Sequence, residues 1–205
     1  MDLVVSALPF LVVLILSLSF HEAAHAWSAD KLGDPTARLL GRLTLNPLAH
    51  IDWVGTVFFP LIAAISNLPL IGWAKPVPVN PLNLRHPRRG FAMVAAAGPL
   101  SNLLLAFLAL IPLSLLSTGE VTGSMLLDFL RGFIHLNVFL AVFNLIPVPP
   151  LDGGNILAGV VPESAARILD QLRPFGIFVL YALLLSGVLV WIAAPVNGFL
   201  VRWLP

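Results

Sequence analysis

Leu11-Val-Val-Leu-Ile-Leu-Ser-Leu-Ser-Phe-His21-Glu22-Ala23-Ala24-His25 joins two signals in one segment. An apolar run long enough to enter a bilayer ends in the pattern HExxH. Histidines four residues apart on a helix share a face. His21 and His25 can therefore reach one Zn²⁺, with Glu22 beside the water that such a metal would activate. A hydrolytic metal motif at membrane depth places its substrate there as well.

The rest of the chain agrees with a membrane setting. Its 205 residues are 59% hydrophobic and only 10% charged, with a mean hydropathy of +0.96. Soluble domains carry about a quarter charged residues, so an integral membrane protein is expected. The length suits a single domain over 1–205, with no room for an appended soluble module. A formal charge of +1 argues against nucleic acid as a partner. With no cysteine in the chain, metal ligands must come from His and carboxylate. Leu3 to Phe20 imitates a secretory signal, but no Lys or Arg precedes Lys31. A retained first span is expected.

Apolar runs fall at 3–27, 53–71, 91–117, 125–147 and 175–200, each near the length that crosses ~30 Å of hydrocarbon. The run at 53–71 is short, contains Pro60 and Pro69, and leads into Gly72-Trp-Ala-Lys-Pro-Val-Pro-Val79, which reads as extended rather than helical. If 53–71 dips in and returns, then Lys31, Arg38, Arg42, Lys75, Arg85, Arg88, Arg89, Arg167 and Arg173 share one face, against Arg131 and Arg202 opposite. A full crossing would erase that bias. The positive-inside rule thus favours a re-entrant segment, four true spans and an outward N-terminus. The stretch 152–174 reads as an amphipathic helix at the interface.

A catalytic zinc site needs a third protein ligand, and intramembrane acids are few. Asp152 follows Asn144-Leu-Ile-Pro-Val-Pro-Pro-Leu151, where three prolines end the helix begun near 125. In the re-entrant topology, Asp152 and His25 lie at the same end of their spans and can meet. Taken alone, Asp152 reads equally well as a helix cap. His50 and His86 fall in polar loops and are expected at the surface or hydrogen-bonded; His135 lacks an acidic or His neighbour at helical spacing and is expected to pack or hydrogen-bond. Ala97-Gly98-Pro99-Leu100-Ser101-Asn102 permits close helix packing. Asn102 and Asn144 are polar groups in apolar surroundings that need partners; each could support a helix break or face a developing oxyanion.

Four blocks together resemble the site-2 proteases, most nearly their compact bacterial and archaeal branch: HExxH at 21–25, the strand-like 72–79, Ala97–Asn102, and NxxPxPxxDGG at 144–154. Gly41–Asp52 is similar to that branch as well. The resemblance implies an all-α polytopic fold: a bundle of about four to six transmembrane helices with a re-entrant segment and short extended strands near the active site. The core would occupy about 3–157, with an interfacial helix and last span over 152–205. It implies Zn²⁺ on His21, His25 and Asp152, Glu22 as catalytic acid/base, and Asn102 and Asn144 positioning substrate or supporting the site. Segments near 40–52 and 70–80 would line a substrate path. The expected activity is intramembrane endopeptidase cleavage of membrane proteins, as in regulated intramembrane proteolysis. The expected setting is a prokaryotic cell membrane, with the site towards the cytoplasm. PDZ-like and cystathionine-synthase-type modules are not recognised. A non-proteolytic membrane metal-binding or transport protein is the alternative.

Overall fold

The computed structural model describes residues 2–66, 73–117 and 125–203. The chain begins with α1 (Asp2–Leu32) and a short α2 (Thr36–Leu39). A wide six-residue turn, Trp53–Phe58, leads into α3 (Phe59–Ser66). Then come α4 (Pro87–Ser117), α5 (Met125–Asn144), α6 (Asp152–Val160), α7 (Glu163–Leu172), α8 (Gly176–Leu185) and α9 (Val188–Trp203). Leu8–Leu32, α4 and α5 are each long and apolar enough to cross a membrane. The chain is an all-α integral membrane protein.

Lipid tails are as apolar as leucine, so helices in a bilayer associate through close packing and shared hydrogen bonds. α4 is built for this. Its buried positions include Gly90, Ala92, Ala95, Gly98, Ala106 and Ala109, which let neighbours approach. Against it and one another pack α1 and α5: Val13, Leu14 and Leu18 meet Leu136 and Leu140, while Ala106, Ala109 and Leu113 meet Leu127 and Ile134. α6 lies on α4 as well. Arg88 of α4 holds its far end, donating to the carbonyls of Ala158 (2.8 Å) and Val161.

The expected span at 175–200 is not one continuous helix. Gly187 adopts φ +74° and separates α8 from α9, a left-handed turn that glycine makes without steric cost. At 1.5 Å per residue neither piece reaches ~30 Å. Leu180 and Leu183 of α8 and Ile192 of α9 pack on the same small core around Ile146 and Leu151. The expected interfacial helix over 152–174 is divided too, into α6 and α7, with Pro162 at the joint.

The re-entrant segment is legible where the described chain resumes after 66. Trp73 N–H donates to the Gly55 carbonyl (3.1 Å), and the Thr56 hydroxyl donates to the Trp73 carbonyl (2.8 Å). An excursion whose ends meet at hydrogen-bond distance has not crossed a ~30 Å layer. Beyond Trp73 the chain runs extended to Asn80, but the described residues contain no β-strand, so the expected strands are not present as such. The reason is what the backbone pairs with. Lys75 N–H donates to His50 C=O (2.9 Å), Arg42 donates to Lys75 C=O (2.7 Å), and Val77 N–H donates to a carboxylate oxygen of Glu22 (2.7 Å). Side chains and turn carbonyls take the place of a ladder.

Asp34, fully buried just beyond α1, staples this loop region. Its carboxylate accepts from Thr36 N–H (3.1 Å) and hydroxyl, Asn80 N–H (2.7 Å) and Asn83 Nδ2 (2.9 Å). Burial pushes its pKa up, but these four donors outweigh it and hold it below the ordinary carboxylate value. A depressed folded-state pKa gives stability that is present above the unfolded pKa of about 3.9 and is lost as pH falls through the folded value. Asp34→Asn is therefore expected to cost about 1–3 kcal/mol at neutral pH, because its amide cannot accept from every donor. In detergent melts, the gap between wild type and variant should close as pH drops below about 4. A gap constant down to pH 2 would contradict this.

Candidate metal centre

α1 presents His21 and His25 one turn apart, and both imidazoles face α4 and the start of α6. Asp152 is the first residue of α6, and its side chain does not cap that helix. The cap reading of Asp152 is set aside. Instead its Oδ2 lies 3.1 Å from His21 Nε2 and 3.4 Å from His25 Nε2, and the two Nε2 atoms are 3.0 Å apart. The three side chains are only 6%, 12% and 14% exposed.

The other ring nitrogens decide what those atoms are. His21 Nδ1 is 2.6 Å from Asn102 Oδ1, and His25 Nδ1 is 2.7 Å from the Val94 carbonyl. Both partners are acceptors, so both Nδ1 atoms carry the proton and donate it. In the neutral rings each Nε2 then presents a lone pair. Two imidazole lone pairs and a buried carboxylate oxygen with no hydrogen-bond donor face one another. Three acceptors at this distance are reconciled by a proton on one Nε2 or by a cation between them. The separations suit a cation, approaching the ~3.3 Å edge of a tetrahedron around Zn²⁺ with Zn–N of ~2.0–2.1 Å. The pocket is cut to that purpose: a Cβ on Gly98 would lie 2.5 Å from His25 Nε2 and 2.6 Å from His21 Nε2.

Glu22 projects beside this group without joining it. It is 8% exposed. One oxygen is engaged by Val77 N–H, so the extended segment passes directly by the centre. Asn102 is wholly buried and reaches His21. Asn144, half-buried, turns its amide nitrogen back to the Leu140 carbonyl of its own helix (3.0 Å). The bland histidines behave as expected: His50 braces Thr44 C=O (2.8 Å), His135 bonds Arg131 C=O (2.9 Å), and His86 is exposed. Sequence reasoning missed Ser17 and Asn137, both fully buried behind Asn102. A polar side chain inside an apolar span was the available signal.

A buried His-His-Asp cluster that could hold a metal ion, set among helices long enough to cross a membrane, fits a membrane zinc metalloprotease, and known proteins agree. The family model of peptidase family M50 matches residues 112–187. "Putative zinc metalloprotease YwhC" of Bacillus subtilis is 40% identical over 189 residues, covering 88% of this chain and 82% of its own. "Putative zinc metalloprotease Rip2" of Mycolicibacterium smegmatis is 30% identical over 177 residues, or 85% of this chain and 66% of that one. Its Mycobacterium tuberculosis namesake (strain H37Rv) is 29% identical over 187 residues, 87% and 70% of the two chains. No solved structure matches the chain at a significant level. The chain belongs to peptidase family M50, the site-2 proteases, and is a zinc metallopeptidase.

Proposed function

We propose that the protein is an intramembrane endopeptidase in which His21, His25 and Asp152 hold one Zn²⁺ and Glu22 moves the protons. The reading rests on one observation above all: three acceptor atoms converge with no donor between them, beside a carboxylate, in a chain of membrane-crossing helices. When bound, Zn²⁺ lowers the pKa of its water towards ~7 and polarises a carbonyl. Val77 fixes one Glu22 oxygen, which leaves Oε1 to take a proton from the attacking water and return it to the leaving amine. Asn102 supports the centre by orienting His21. Asn144 keeps its carbonyl oxygen for a substrate N–H. The substrate is a transmembrane or membrane-inserted polypeptide. A helical span hides its carbonyls in i→i−4 bonds, so spans weakened by Gly or Pro should be cut first.

The distribution of Lys and Arg supports a site towards the cytoplasmic face of a prokaryotic membrane. Metal transport accounts less well for Glu22, and a transport path would repeat its ligands. The described residues contain one such cluster.

The test uses purified protein in detergent and a transmembrane model peptide carrying a central Gly-Pro. Mass mapping should place the cut inside the apolar stretch. Chelator should abolish cleavage and added Zn²⁺ restore it. Zinc-loaded protein that binds the peptide but leaves it whole, or cuts only its soluble flanks, would overturn the reading.

A further inference from the structure

A chain of buried amides stands behind His21. Asn102 Nδ2 donates to Asn137 Oδ1 (2.9 Å) and to the Ser17 carbonyl (3.3 Å). Asn137 Nδ2 in turn donates to the Phe133 carbonyl and to Ser17 Oγ, both at 2.9 Å. Ser17, Asn102 and Asn137 are each 0% exposed. They come from α1, α4 and α5, so one network ties the three long helices together.

The polarity of this network has a single solution. A backbone carbonyl only accepts. The Phe133 carbonyl forces the Asn137 amide to turn its nitrogen that way and its oxygen towards Asn102. That oxygen and the Ser17 carbonyl both demand the Asn102 nitrogen. Asn102 Oδ1 is thereby left for His21, and His21 must offer Nδ1–H. Reversing either amide would set oxygen against oxygen at hydrogen-bond distance, at a cost of several kcal/mol in a dry interior.

We infer that Asn137, acting through Asn102 with Ser17 as anchor, is a positioning residue that locks His21 in the Nδ1–H tautomer and so keeps its Nε2 lone pair on the metal side. The inference rests on His21 being a zinc ligand. Polar groups one step behind a metal ligand set its tautomer and basicity, and their loss costs about 10–100-fold in metal affinity. Asn137 touches neither the metal group nor the substrate side, so its influence must pass through Asn102.

A double-mutant cycle on the full-length protein in detergent tests this, with zinc affinity read by chelator competition. Asn137→Ala should weaken zinc binding by about 10–100-fold, and Asn102→Ala at least as much. The double variant should match Asn102→Ala within about twofold, since residues acting in series do not add. Ser17→Ala, the milder probe should Asn137→Ala fold poorly, should weaken binding in the same direction by less. Nitrogen-15 spectra of the zinc-free protein provide a second readout. His21 should be a single Nδ1–H species in wild type and a tautomer mixture in Asn137→Ala. Losses that add in full, or a tautomer unchanged in Asn137→Ala, would overturn the relay and leave a packing role. His21→Ala binding zinc as tightly as wild type would instead remove the metal reading on which the relay rests.

Discussion

Gly98→Ala is expected to leave a folded protein that no longer retains zinc. The new methyl carbon would sit 2.5–2.6 Å from atoms of both imidazoles, well inside contact distance, and the rings cannot step aside. His21 Nδ1 is held by Asn102 and His25 Nδ1 by Val94 C=O, so any swing breaks a buried hydrogen bond. The backbone has no reason to object. Alanine is a better helix former than glycine by about 1 kcal/mol, which should offset part of any local crowding. Zinc affinity should fall by about 100-fold, the upper end of what supporting residues produce. The melting temperature of the zinc-free protein should stay within a few degrees of wild type. Elemental analysis after gel filtration, alongside a detergent melt, measures both. Full zinc occupancy with wild-type cleavage would show that the imidazoles are not placed as described.

Glu22→Gln should do the opposite, keeping zinc while cleavage collapses by about 10²–10⁴-fold, the usual contribution of a positioned acid/base. The amide oxygen of glutamine can still accept from Val77 N–H, so the extended segment keeps its anchor and only proton transfer is lost. Glu22→Ala removes both. Comparing the two separates chemistry from anchoring: the glutamine variant should bind a model peptide like wild type, and the alanine variant more weakly. Cleavage by the glutamine variant within tenfold of wild type would assign the base to another group.

What the sequence revealed and what it hid divide along physical lines. His21, His25 and Glu22 were legible because helical periodicity converts spacing into a shared face. Asp152 needed more, since its approach to α1 depends on topology, and the charge balance of the loops supplied that. The re-entrant segment was legible from the same balance, and the bond between Trp73 and Gly55 carries it structurally. The break at Gly187 was not. Nothing in an apolar run distinguishes a glycine that packs from one with positive φ. The partner of Glu22 was equally hidden, because a backbone N–H on Val77 has no letter in a sequence. Asn137 was visible as an amide in an apolar helix, yet its donation is set by the Phe133 carbonyl of its own helix and by the Ser17 hydroxyl, which only the folded chain brings within reach.

The segment from Trp73 to Val79 has one more consequence. In extended chain, the amide and carbonyl of alternate residues point to opposite sides. Residues 73, 75 and 77 spend their amide hydrogens inward, on Gly55, His50 and Glu22. The outward side belongs to Ala74, Pro76 and Pro78, and the two prolines have no hydrogen to give. That outer edge therefore reads as carbonyls with a single donor. A second copy of the same segment cannot zip against it, because two such edges would meet acceptor to acceptor. An apolar, extended, partly exposed stretch is an invitation to runaway sheet growth between molecules, and here alternate prolines withdraw it.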